Sequence, residues 1–239
     1  MLVGGLSSLA LAGCRLLQDS IDAPVASYPF RDDRSSDTLL VIVPGATDRP
    51  EDLEQNGVVE LLRERGCEYD IVVPYRLGPS YLLGDVEDEL HLDVLRYGPR
   101  ERRVWLAISA GALVTFGFAR SYGEEVDRII AYAPYLGPEK IIGEIEAEGG
   151  LASWTANEPI EDIERVWTWL RGYAEPEQAK SRPRLDLMWG RNDPGARAQE
   201  LLAAVLPEDR VHPGPGEHGW VTFMGLLRAF VDAHPPSDW

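Results

Sequence analysis

Apolar, β-branched runs alternate along this chain with segments of helical periodicity, and this alternation limits the available folds more than any other feature. Six strands are predicted, at 38–43 (TLLVIV), 69–74 (YDIVVP), 104–108 (VWLAI), 128–133 (RIIAYA), 185–189 (LDLMW) and, weakly, 210–212 (RVH). Helices are predicted between and after them, at 51–65, 82–97, 109–121, 195–205 and 219–233. Continuously apolar strands are typical of sheets that are covered on both faces. The pattern therefore predicts a doubly wound, mainly parallel α/β sheet, with ligand chemistry at the carboxyl ends of its strands.

Composition narrows the function classes. The 239 residues, with 44% apolar and 26% charged side chains, suit a single domain with a full core. The net charge of −17 would repel a polyanion, so no nucleic-acid partner is expected. The sequence has no P-loop, no G-x-G-x-x-G after a strand and no pair of histidines at ligand spacing, so neither a cofactor nor a metal is predicted.

Residues 1–13 form a short apolar stretch, below the roughly 20 residues of a membrane span but suited to a secretory signal. Its end, Leu11-Ala12-Gly13-Cys14, resembles the bacterial lipobox. The resemblance implies cleavage before Cys14 and lipidation of its thiol, which would anchor the protein in the bacterial cell envelope, facing the periplasm or the exterior. Residues 14–37 would then be a tether to a domain at 38–239. Residues 2–13 contain no Lys or Arg, and the alternative is an apolar N-terminus with an incidental cysteine.

The segment 135–184 interrupts the strand–helix alternation and contains helical patterns at 139–147 and 161–174. A connection of this length is usually functional or an inserted subdomain. We expect a small helical cap over the site, with a plain packed insertion as the alternative. Five aromatic residues are candidates for an apolar substrate pocket, although each is also compatible with core packing. They are Tyr135, Trp154, Trp167, Trp169 and Trp220.

The pattern small-x-Ser-x-Gly occurs twice, around Ser109 and around Ser121. It indicates a nucleophile only where a buried strand turns sharply into a helix. Ser109 lies at such a junction, between the run that ends at Ile108 and the following helix. Ser121 lies in the polar last turn of that helix. Ser109 is therefore the candidate nucleophile.

A catalytic serine requires a base that accepts its proton and an acid that orients the base. His218 is the candidate base, because it lies on a loop (GPGEHGW) after the last predicted strand. Asp193 follows the strand LDLMWG and is the candidate acid, with a helix N-cap as its alternative role. Asp186 competes for the acid role but lies inside that strand. The remaining histidines occupy less suitable positions in a helix, a weak strand and a Pro-rich tail: His91, His212 and His234.

Nucleophile, acid and base follow one another as Ser109, Asp193 and His218, the order of α/β-hydrolases. The segment 38–233 resembles this superfamily through AISAG, WGRNDP, GEHGW and VPGA. Ala107 replaces the commonest glycine of the first motif, and PGAT replaces the HG-type oxyanion motif. The resemblance implies an oxyanion hole formed by the backbone N–H groups of Ala46 and Ala110.

The sequence thus predicts a serine hydrolase that cleaves carboxylic ester or thioester bonds of a small or lipid-like substrate and needs no cofactor. The alternative is a lipid-anchored binding or scaffold protein that has a hydrolase-like fold and little activity. The sequence contains no signal for the acyl-chain length of the substrate or for the oligomeric state of the protein.

Overall fold

A computed structural model describes residues 26–31, 33–74, 86–157 and 161–239. The lipobox segment and Cys14 lie outside the described residues. The described chain contains a seven-stranded sheet in the order β1-β3-β2-β4-β5-β6-β7, parallel except for β1. Its strands are β1 (Ala26–Tyr28), β2 (Thr38–Val43), β3 (Asp70–Val73), β4 (Arg102–Ile108), β5 (Arg128–Tyr132), β6 (Arg184–Gly190) and β7 (Val211–Gly214).

Helices connect these strands, which confirms the predicted α/β class. They are α1 (Pro50–Gln55), α2 (Val58–Glu64), α3 (Val86–Leu95), α4 (Ala110–Ser121), α5 (Glu139–Ala147), α6 (Asp162–Arg171), α7 (Pro176–Lys180), α8 (Ala196–Ala203) and α9 (Trp220–Ala233). In the described ranges, no helix has both the length and the apolar character that crossing a membrane requires.

The central strands are buried along their length. β2, β3 and β5 are buried at every position, and β4 is buried from Val104 to Ile108. Continuous burial explains why these strands lack the alternating polar pattern of a half-exposed sheet. Because β4, β5, β6 and β7 are parallel, their carboxyl ends lie at the same edge of the sheet, where the loops that follow them are close together.

Strand β1 lies within the segment 14–37, for which the sequence predicts a tether. Residues 26–28 pair antiparallel with β3, and the Asp70 carboxylate then accepts hydrogen bonds from the N–H groups of Phe30 and Ser36 (3.0 Å each). The strand has only three residues of mixed exposure. Main-chain pairing with β3 therefore holds it in place, and the sequence contains no apolar run that would predict it. The folded domain thus begins upstream of residue 38.

The predicted helix at 51–65 is two helices, α1 and α2. Gly57 separates them with a φ of 73°, in the left-handed region that glycine adopts at little cost. The sequence pattern missed this break because the apolar residues on both sides continue one helical periodicity.

The segment 135–184 packs beside the sheet. Helix α6 contacts α4, and α5 contacts α8. Trp167 is fully buried, and its indole N–H donates to the carbonyl of Leu136 at 2.8 Å. These contacts fit the packed-insertion alternative for the described part of the segment rather than the expected cap.

A buried ion cluster joins β5 and β6. Asp186 is fully buried and accepts hydrogen bonds from the Nε groups of Arg128 (2.8 Å) and Arg184 (3.1 Å). Burial favours a higher pKa for Asp186, but His212, Arg184 and Arg128 together lower this pKa to about 2. Because the folded-state pKa lies below the usual value of about 3.9, the cluster stabilises the fold above that pH, and its contribution is lost as pH falls through about 2.

We expect Asp186→Asn to lower the free energy of unfolding by about 3–5 kcal/mol, because the substitution leaves the buried Arg128 without its counter-charge. Urea unfolding at neutral pH measures the change. The exposed Asp209, 4.0 Å from Arg184, provides the control, and Asp209→Asn should change the free energy of unfolding little. Equal effects of the two substitutions would contradict a stabilising role for the buried cluster.

Candidate active site

Ser109 occupies a sharp turn between β4 and α4. Its φ of 52° and ψ of −118° are strained for a residue with a side chain. Gly111, two residues on, lies against the end of β2: an added Cβ would lie 2.4 Å from the carbonyl oxygen of Pro44 and 2.5 Å from that of Val43. The small residues of AISAG thus permit a close contact between the start of α4 and the end of β2.

Main-chain hydrogen bonds to β5 and to the loop that follows it hold this turn. The N–H of Ser109 donates to the carbonyl of Tyr132 at 2.9 Å, and the carbonyl of Ser109 accepts from the N–H of Tyr135 at 3.0 Å. The side chain of the serine therefore projects from a fixed backbone at the carboxyl edge of the sheet.

The structure brings together the three residues that chain order singled out. His218 Nε2 lies 3.1 Å from Ser109 Oγ, and His218 Nδ1 lies 2.7 Å from Asp193 Oδ2. The imidazole is therefore within hydrogen-bond distance of a hydroxyl on one side and of a carboxylate on the other. This arrangement allows proton transfer from the serine with the histidine held in one orientation.

Main-chain hydrogen bonds also join the loops that carry the acid and the base. In the loop after β6, the N–H groups of Arg191 and Asn192 donate to the carbonyls of Gly214 (2.8 Å) and Gly216 (2.9 Å) in the segment that leads to His218. Asp193 and His218 thus project from two loops that are paired immediately before them.

The two oxygens of Asp193 have separate partners. Oδ2 faces His218, while Oδ1 accepts from the N–H of Gly195 at 2.7 Å at the start of α8. The N-cap residue of α8 is Gly195, so Asp193 does not have the N-cap role that the sequence offered as an alternative. Asp186, the competing acid, lies within the ion cluster with Arg128 instead.

Hydrogen bonding between the acid and the base shifts the pKa values of both. The hydrogen bond to Asp193 raises the pKa of His218 above its usual value, burial opposes this shift, and the charges of Asp193 and Asp48 reinforce it. Burial favours a higher pKa for Asp193, but the hydrogen bonds from His218 and Gly195 lower it overall. The contact thus favours an ionised carboxylate and makes the imidazole a stronger base.

The other histidines lie away from Ser109. His91 stacks on Tyr122 with ring centroids 4.0 Å apart, and His212 packs against Phe230 and His234.

Ser109 and His218 line a cleft of about 260 Å³ at the carboxyl edge of the sheet. Its described walls comprise Gly45, Ala46, Thr47, Asp48, Ile108, Ser109, Tyr132, His218, Gly219, Trp220 and Phe223. Ala46, the predicted oxyanion-hole donor, and Trp220, a predicted pocket residue, are both on this wall. Ala110 is the first residue of α4, where a backbone N–H has no acceptor within the helix.

Four of the five aromatic candidates are absent from these described walls. Trp154 and Trp167 are buried within the 135–184 segment, and Trp169 packs near Phe116 of α4. Tyr135 is 49% exposed, and its N–H donates the main-chain hydrogen bond to the carbonyl of Ser109. The expectation depended on a cap over the site, whereas the described helices of this segment pack beside α4 and α8.

Sequence reasoning missed three prominent side chains of the cleft: Asp48, Tyr132 and Phe223. Tyr132 ends the strand next to β4, and its hydroxyl donates to the carbonyl of Gly219 at 3.2 Å in the histidine loop. The sequence signal that could have identified Tyr132 is its position at the end of a predicted strand. Asp48 follows the PGAT motif by one residue, and Phe223 lies one helical turn beyond Gly219.

Protein-family models and curated proteins give no match to this sequence. Solved structures do resemble it. The fluorophosphonate-binding serine hydrolase F of Staphylococcus aureus shares 15% identity at a TM-score of 0.59, with 88% of this chain and 98% of that chain covered. S-formylglutathione hydrolase from the same organism shares 15% identity at a TM-score of 0.56, with 85% of this chain and 84% of that chain covered. Monoacylglycerol lipase of Paleococcus ferrophilus shares 13% identity at a TM-score of 0.56, with 88% of this chain and 98% of that chain covered.

These similarities extend over most of this chain and most of each matched chain. Together with the strand order and the turn at Ser109, they show that the protein has the α/β-hydrolase fold.

Proposed function

We propose that this protein is a serine hydrolase that cleaves carboxylic ester or thioester bonds. One observation carries the proposal: the uninterrupted contact from Ser109 Oγ through the His218 imidazole to Asp193, at 3.1 and 2.7 Å. The names of the similar structures, a lipase and an S-formylglutathione hydrolase among them, support an acyl-transfer reaction on esters or thioesters.

In this mechanism, Ser109 Oγ attacks the carbonyl carbon while His218 Nε2 accepts the hydroxyl proton. Asp193 accepts a hydrogen bond from the Nδ1–H of His218, which fixes the tautomer and stabilises the imidazolium. The negative oxygen of the tetrahedral intermediate accepts hydrogen bonds from the N–H groups of Ala46 and Ala110, as the family resemblance implies. His218 then protonates the leaving alcohol or thiol, and water releases the acyl group from Ser109 by the same steps.

Removal of the nucleophile tests the proposal. Ser109→Ala should lower the turnover of p-nitrophenyl esters on the order of a millionfold, because the covalent step requires the hydroxyl. The matched control is Ser121→Ala, which alters the second copy of the motif, where the exposed hydroxyl donates to Glu87. That control should retain the activity of the unaltered protein.

Covalent capture by a fluorophosphonate probe distinguishes the enzyme from a binding or scaffold protein with the same fold. The proposal predicts labelling at Ser109 that survives Ser121→Ala and disappears in Ser109→Ala. A protein that neither reacts with the probe nor hydrolyses p-nitrophenyl esters would refute the proposal.

The pH dependence tests the base. Because His218 must be neutral to accept a proton, kcat/KM should fall as pH decreases through its raised pKa. Asp193→Asn removes the hydrogen bond that raises this pKa, so the acidic limb of the profile should move to lower pH while the plateau falls by on the order of 10⁴-fold. NMR titration of the His218 ring in the variant gives the pKa directly, and an unchanged value would contradict the assignment of Asp193.

We also propose that Cys14 carries the lipid that the lipobox resemblance implies, which would locate the protein on the bacterial cell envelope. In a bacterial host, Cys14→Ser should abolish incorporation of radiolabelled palmitate and move the protein from the membrane fraction to the soluble fraction. Cys67→Ser is the control, since the Cys67 thiol is buried in the core and should not affect labelling. Labelling that persists in Cys14→Ser would exclude this anchor site.

A further inference from the structure

Asp48 places a carboxylate on the wall of the cleft that contains Ser109 and His218. It is not part of the proposed proton relay. An added Cβ on Gly45 would lie 2.6 Å from Asp48 Oδ2 and 3.5 Å from the Cβ of Ser109, so one glycine separates the carboxylate from the nucleophile. At this range, well inside the screening length of about 10 Å in 0.1 M salt, the charge acts on any group bound at the serine.

The carboxylate is fixed in place. Asp48 Oδ2 accepts from the N–H of Gly45 at 3.2 Å, and the N–H of Asp48 donates back to the carbonyl of Gly45 at 3.1 Å. Burial, reinforced by the charge of Asp52, raises the pKa of Asp48 overall, although the hydrogen bonds from Gly45 and Trp220 and the charge of His218 oppose this shift. A cation bound beside the carboxylate would favour its ionised form, so the cleft offers a positioned carboxylate to a positively charged group.

Aromatic rings line the same cleft. Trp220, Tyr132 and Phe223 are all on its wall, and Phe223 contacts the other two, with ring centroids 5.4 Å from Trp220 and 4.7 Å from Tyr132. An ammonium group is attracted by a carboxylate and also by the faces of aromatic rings, which form the cages that bind quaternary ammonium ligands. The chemistry of this wall therefore matches a cationic group.

For a neutral ester, a negative charge at this position is unfavourable. The tetrahedral intermediate develops a negative oxygen beside Ser109, and the Asp48 carboxylate repels it. A substrate that carries its own positive charge near the carbonyl would reverse this effect, because the cation would be attracted to Asp48 in both the ground state and the transition state.

We propose that Asp48 makes the cleft selective for esters or thioesters that carry an ammonium group close to the scissile carbonyl. Asp48 acts here as a specificity-determining residue. The inference rests on the proposed serine-hydrolase function, since it names the class of substrate for that same site.

The test uses substrates that differ in charge and hardly in shape. One series consists of p-nitrophenyl esters whose acyl chain ends in trimethylammonium, in the neutral tert-butyl isostere or in sulfonate. A second series places the same groups on the alcohol of an acetate ester. We expect the unaltered protein to prefer the cation over its neutral isostere by about tenfold or more in kcat/KM in at least one series, and to hydrolyse the anion most slowly.

Asp48→Asn should bring the ratio of cationic to neutral kcat/KM close to one. This ratio is the readout, because the charge of Asp48 also raises the pKa of His218 and so affects the hydrolysis of every ester. The matched control is Asp52→Asn, which removes the same charge four residues away and outside the described wall of the cleft. It should retain the full cation preference. A loss of rate in Asp48→Asn that is equal for all three charges would show a purely structural role and overturn the proposal.

The salt dependence of the unaltered protein gives a test that needs no variant. Between about 0.01 M and 1 M salt the screening length falls from about 30 Å to about 3 Å, so the ratio of cationic to neutral kcat/KM should decrease. If neither series shows a cation preference, charge selection is wrong, although turnover of the neutral ester that requires Ser109 would still support the hydrolase. If Ser109→Ala hydrolyses the esters as fast as the unaltered protein, the proposed function itself fails.

Discussion

The strained turn at Ser109 depends on hydrogen bonding between parallel strands. β4 and β5 pair in register up to Ile108 and Tyr132, and the Ser109 N–H then continues the ladder by one bond to the Tyr132 carbonyl. This bond, with the close contact of Gly111 against β2, holds a residue in a conformation that it would otherwise avoid. A slip of one residue between these strands would move the serine side chain to the opposite face of the sheet. The geometry of the site therefore depends on the register of β4 and β5.

The sequence predicts the sheet well because parallel strands that are buried on both faces leave long apolar runs. β2, β4, β5 and β6 were evident for this reason. β1 was not, because three half-buried residues held by main-chain pairing leave no apolar pattern. The break at Gly57 was similarly hidden, since the apolar periodicity passes through it and only the backbone conformation reveals it.

At the candidate site, chain order and strand ends sufficed to select Ser109, Asp193 and His218, whose side chains the structure brings into contact. The walls of the cleft were harder to predict. The tryptophans of the 135–184 segment are prominent in the sequence, yet Trp154 and Trp167 are buried away from the described walls. Which side chains face a cleft depends on how loops and helices pack in three dimensions, and residue type alone does not encode this.

The acid and base loops are paired through the N–H groups of Arg191 and Asn192, immediately before the residues that meet at the imidazole. Asp193 and His218 are therefore connected both by these main-chain hydrogen bonds and by their own side-chain contact, and their loops follow the ends of β6 and β7. A disturbance at this sheet edge would displace both from Ser109 together, and their mutual hydrogen bond would survive the separation.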